Sequence, residues 1–69
     1  MTNIEHEIVT IAELRARKGK ISQSDLAEAI GTTQTTVSNW EKDIMTISTH
    51  NLCKVCRYFG VTSSNLLGF

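Results

Sequence analysis

Three groups of residues in this 69-residue chain have types and spacings that could do chemistry. His50, Cys53 and Cys56 form an HxxCxxC run, which suggests soft-metal ligation or thiol redox chemistry. Scattered Ser, His and Asp side chains supply the parts of a nucleophile and its base. A third group needs no reaction. Residues 22–40, SQSDLAEAIGTTQTTVSNW, carry seven hydroxyls and three side-chain amides but only two charges, Asp25 and Glu28. Such side chains donate and accept hydrogen bonds at neutral charge, the chemistry needed to read another molecule's polar edge.

The first two groups weaken on inspection. Structural zinc takes four ligands, and no fourth lies near the HxxCxxC run. Cys56 shares a helical face with Leu52 and Phe59, so the thiols read as small apolar residues. The Ser, His and Asp residues fall at helix caps and surfaces of a chain too short for a substrate cleft, with no nucleophile–base arrangement among them. The expectation is a protein that is not an enzyme and holds no metal or cofactor.

The elements that position the third group follow from apolar spacing and caps. At this length the chain is one domain, residues 1–69, and 41% apolar content suits a folded one. Proline is absent and β-branched residues do not alternate, which favours an all-α architecture. Ile4, Ile8, Ile11 and Leu14 follow helical spacing, predicting a first helix over 5–18 that ends at Gly19 and Lys20. Ser22 and Asp25 form a capping box for a second helix over 23–30, closed by Gly31. Thr33 caps a third, over 34–42, with Val37 and Trp40 inward. Ser48 caps a fourth, whose apolar face is Leu52, Val55, Cys56 and Phe59 and whose stop is Gly60. Ser63 is expected to cap a last short helix carrying Leu66 and Leu67.

Gly31, Thr32 and Thr33 alone separate the second and third helices, the layout of a helix-turn-helix over about 22–42. The outer face of the third helix is then Gln34, Thr35, Ser38 and Asn39. Gln or Asn can pair bidentately with adenine, and a Thr methyl can touch the methyl of thymine. An ordinary solvated face favours Lys and Glu, the better helix formers. The formal net charge is zero, which disfavours non-specific coating of nucleic acid through many phosphate contacts. Arg15, Arg17, Lys18 and Lys20 are concentrated at the end of the first helix, a favourable place for cations.

Residues 11–68 resemble the Cro/CI-type helix-turn-helix family, the lambda-repressor-like domains of phage and bacterial regulators. The resemblance is carried by Leu14-Arg15, Ile21-Ser22-Gln23, Asp25-Leu26-Ala27 and Ile30-Gly31-Thr32-Thr33-Gln34. Val37-Ser38-Asn39-Trp40-Glu41-Lys42, Phe59-Gly60-Val61 and Leu66-Leu67-Gly68 complete it. It implies a compact five-helix domain whose third helix enters the major groove of operator DNA, with Gln34, Thr35, Ser38 and Asn39 toward bases. It further implies a phosphate contact from Gln23 and a salt bridge between Arg15 and Glu41, and Thr33 and Lys42, at either end of the third helix, are expected on phosphates as well. A homodimer on a pseudo-palindromic operator follows from the same resemblance, as in the small Cro-like regulators of temperate phages.

Two stretches depart from the family pattern. The turn before Ile21 is longer by one residue, and Asp43-Ile44-Met45-Thr46-Ile47 stands where relatives carry Gly, basic residues and Pro. Ile44 and Met45 are therefore expected in a protein–protein surface. They also support a second expectation: a phage antirepressor or modulator of the same fold that binds a repressor protein instead of DNA. No apolar run is long enough for a membrane span, and MTNIEHEIVT has no signal-peptide core, so a cytoplasmic protein with reduced thiols is expected.

Overall fold

The computed structural model describes residues 8–69, and among them five α-helices follow one another without a strand. They are α1 (Ile11–Arg17), α2 (Gln23–Ile30), α3 (Gln34–Lys42), α4 (Thr49–Phe59) and α5 (Ser63–Leu67), with a single 3₁₀ turn at Ile44–Thr46 between α3 and α4. The core is built where their apolar stripes meet. Ile11 and Leu14 of α1, Leu26, Ala27 and Ile30 of α2, Val37 and Trp40 of α3, Val55 of α4 and Leu66 of α5 are all buried. Leu52, Cys56 and Phe59 pack against this core half-buried, so Val55 is the centre of the α4 face.

The structure differs from expectation at both ends. α1 begins at Ile11 rather than residue 5, because Thr10 caps it. The Thr10 hydroxyl accepts from the Glu13 N–H at 3.0 Å, and Glu13 Oε1 accepts from the Thr10 N–H at 3.3 Å. Thr10 itself is extended, and in an extended chain neighbours point to opposite sides. Val9 is accordingly buried at 2% exposure, while Ile8, which helical spacing turns inward, is 70% exposed. Ile4 and His6 lie outside the described residues.

At the other end Thr62, not Ser63, is the cap of α5. Its hydroxyl accepts from the Asn65 N–H, and Asn65 Oδ1 accepts from the Thr62 N–H at 3.0 Å. Asn65 is buried, and its carbonyl accepts from the Val9 N–H at 2.8 Å, so one polar residue ties the N-terminal segment to the last helix. A buried amide is tolerated because its hydrogen bonds are made.

The turns show how the site is placed. Between α1 and α2, Gly19 and Lys20 are both left-handed, at φ 82° and 58°, which absorbs the extra residue before Ile21. Between α2 and α3, left-handed Gly31 lets its own N–H and that of Thr32 bond the Ala27 carbonyl, at 2.8 and 2.9 Å. Three residues, 31–33, then carry the chain from α2 into α3, and the two helices pack against each other.

Candidate nucleic-acid interface

Each cap at the centre of the domain is local and fully made. Ser22 and Asp25 exchange hydrogen bonds at the start of α2, which holds the Asp25 carboxyl below its ordinary range. Thr33 accepts from the Thr36 N–H at 3.2 Å to start α3. Val37 and Trp40 fasten α3 to the core, at 0% and 3% exposure, and this fixes what the rest of the helix can show. Gln34, Thr35, Asn39 and Lys42 are exposed on one side, and Ser38 on the same side is half-buried rather than fully outward.

A polar cluster locks the far end of α3. Arg15 Nε stands 2.7 Å from Glu41 Oε2, and its Nη2 donates to Oε1 at 3.0 Å. Gln23 Nε2 donates to the same Oε1 at 3.0 Å, and Arg15 Nη1 donates to the Ile21 carbonyl at 2.9 Å. One carboxylate thus joins α1 and α2 to α3, and the guanidinium adds the turn between α1 and α2. Burial pushes the Glu41 carboxyl up, but donation from Arg15 and Gln23 outweighs it and the net shift is downward. The Arg15 guanidinium is held still more firmly protonated by its bond to Glu41. At the near end of α3, Ser24 Oγ donates to Gln34 Oε1 at 2.8 Å.

Charge is unevenly placed. Across α2 and α3 the charged residues are Asp25, Glu28, Glu41 and Lys42, so Lys42 is the sole cation there. Lys18 and Lys54 lie elsewhere and each touches a helix end: Lys18 Nζ reaches the Tyr58 carbonyl at 3.2 Å, and Lys54 Nζ the Ile30 carbonyl at 3.2 Å. The arrangement is a helix whose exposed side is uncharged and hydrogen-bonding up to Lys42 at its end, braced from behind by buried apolar side chains and an ion pair. Against a flat polar ligand it can read donor and acceptor patterns without demanding opposite charge.

A family model described as helix-turn-helix, of the Cro/C1 type, matches residues 11–66. The chain belongs to this family. No curated protein and no solved structure matches it. The helix-turn-helix domain makes the chain a DNA-binding transcription regulator by class, in a family that is regulatory and not enzymatic. None of the described helices is long and apolar enough to cross a membrane.

The remaining sequence candidates fall away from this helix-turn-helix face. His50 and Cys53 are exposed on α4, and Cys56 is half-buried, its thiol pushed up by burial and by the neighbouring Cys53. Among the described residues no three His, Cys, Asp or Glu side chains come together to hold a metal ion. Asp43 caps the 3₁₀ turn, accepting from the Met45 N–H at 3.0 Å, in a stretch that periodicity reads only as loop. Ile44 turns toward the core, and Met45 is 59% exposed. Ser24 and Asn65 are the residues sequence reasoning missed. Asn65 had a signal, three residues after Thr62 as in any capping box; Ser24 had none.

Proposed function

We propose that the protein regulates transcription by occupying a specific operator, with α3 in the major groove and Gln34, Thr35, Ser38 and Asn39 toward the bases. The observation that carries this reading is the exposed, uncharged hydrogen-bonding face of α3, held rigidly by Trp40 and the Arg15–Glu41–Gln23 cluster. With its side chains an α-helix such as α3 is about 10–12 Å across, which fits the roughly 12 Å width of the groove. Gln34 and Asn39 carry amides suited to adenine, and the Thr35 methyl suits thymine. Gln23, Thr33 and Lys42 flank this face and take phosphates. Gln23 keeps a second amide N–H beyond the one given to Glu41, and Thr33 stands at the N-terminal end of α3, where backbone dipoles favour an anion. Two copies on a pseudo-palindrome, with half-sites about one helical turn apart, form the regulatory unit, as in small Cro-like phage repressors.

Gln34→Ala and Asn39→Ala should each relax selectivity at a single base pair by about 1–3 kcal/mol, whereas Lys42→Ala should weaken all duplexes alike and flatten the salt dependence. Competition titrations with single-base operator variants measure both. Equal losses of Gln34→Ala on operator and random duplex would remove Gln34 from base reading.

A second reading is favoured by one observation, the 59% exposure of Met45 beside zero net charge. It makes the same domain a modulator that captures a phage repressor protein. Co-purification with a repressor, in the absence of any sequence-selective DNA binding, is its signature.

A further inference from the structure

We infer that Ser24, the second residue of α2, is a positioning residue for base recognition, its hydroxyl setting the orientation in which Gln34 meets DNA. This rests on the reading of Gln34 as a base-contacting residue. Both side chains are exposed, yet they meet across the helix-turn-helix at 2.8 Å, with Ser24 Oγ donating to Gln34 Oε1. Gln34 opens α3 and has no place in the apolar core, so nothing in the packing restrains its torsions. A glutamine left free loses much rotamer freedom when its amide plane is fixed against a base edge. The bond to Ser24 makes part of that restriction before DNA arrives.

The restraint leaves the recognition groups available. A carbonyl oxygen has two lone pairs and the amide two N–H donors, so Gln34 bound to Ser24 can still accept once through Oε1 and donate twice. The preceding residue, Gln23, has a different engagement. One N–H of its amide goes to Glu41, seven positions beyond Gln34 along α3. Consecutive residues on the first turn of α2 thus act on opposite ends of α3: Gln23 braces the helix at its end, and Ser24 holds the reading side chain at its start. Ser22, not Ser24, caps α2, so Ser24 is free of that duty.

The test uses synthetic duplexes with about 20 randomised base pairs, enough for two half-sites one turn apart, selected separately by the wild-type chain and each variant. Gln34→Ala identifies the base pair that Gln34 reads. Ser24→Ala should lower discrimination at that base pair by about 2- to 10-fold, the range of one net hydrogen bond. Selectivity at the base pair read by Asn39, affinity for random duplex and the melting temperature should be unchanged. Ser24→Thr, which keeps the hydroxyl, should restore discrimination. If the wild-type chain selects no sequence, or Gln34→Ala leaves the selected sequence intact, the base-reading assignment falls and the inference falls with it. If Gln34→Ala relaxes one base pair and Ser24→Ala leaves that position as selective as in the wild type, the inference alone is overturned.

Discussion

Glu41 receives three donors, two from Arg15 and one from Gln23, and its lowered pKa turns that geometry into a pH dependence. A carboxyl that binds its proton less tightly when folded contributes stability fully above its unfolded-state value. The contribution is lost as pH falls through the folded-state value. Glu41→Gln should therefore destabilise the domain at neutral pH by about 1–3 kcal/mol, since it leaves part-buried donors poorly satisfied. The gap between variant and wild type should close once the pH is below the ordinary carboxylate range. Trp40 is the single tryptophan and is buried, so its fluorescence in urea titrations at several pH values follows both proteins. A gap that stays constant with pH would show that the charge of Glu41 does not supply that stability. The Arg15–Glu41 pair could be named in advance from family resemblance, but Gln23 as the third donor could not. Neither could Ser24 against Gln34, because which side chains meet across two helices depends on their crossing angle, and spacing along one helix carries no information about that.

Among the elements, α2 and α4 were legible because caps mark them on both sides, and α3 because a cap marks its start. Ser22 with Asp25 and then Gly31, Thr33, and Ser48 with Gly60 are each a chemical start or stop, and the helices run between them. The start of α1 was not legible, since Ile8 and Ile11 are spaced as well for a helix as for an extended entry that buries Val9 instead. The cap of α5 was ambiguous for another reason: Thr62, Ser63 and Ser64 are three hydroxyl residues in a row. Only Asn65, three residues after Thr62, selects the first of them. Thr62→Ala and Asn65→Ala should each cost about 1–3 kcal/mol, whereas Ser63→Ala should stay within about 0.5 kcal/mol of wild type. In a domain of this size about 1 kcal/mol is roughly 4–8 °C of melting temperature, readily separated by circular dichroism. A Ser63→Ala loss equal to that of Thr62→Ala would contradict the assigned cap.

For the molecule as a whole, the 3₁₀ turn divides two neighbouring apolar residues between core and surface. Ile44 packs inward, so Ile44→Ser should destabilise the fold by about 1–2 kcal/mol. Met45 is outward, so Met45→Ser should leave stability within about 0.5 kcal/mol while reducing dimer formation on DNA under the two-fold reading. Equilibrium ultracentrifugation with and without duplex separates these effects, and an unfolding Met45→Ser variant would place that residue in the core after all. Charge acts at the same scale. Seven basic and seven acidic residues, with Lys42 the sole cation on α2 and α3, leave few phosphate contacts to drive binding. On the proposed reading affinity comes mainly from the uncharged side chains on the exposed face of α3, and the salt slope should correspond to only a few released counterions, each contributing about −0.9.

The central claim is that this face reads sequence. Its most direct test is an anisotropy titration of the chain against the duplex it selects and a scrambled duplex of equal composition, repeated between about 50 and 200 mM salt. The account predicts at least about a thousandfold preference for the selected duplex, with similarly shallow salt slopes on both. Equal affinity for the two duplexes, with the chain folded throughout, would contradict it.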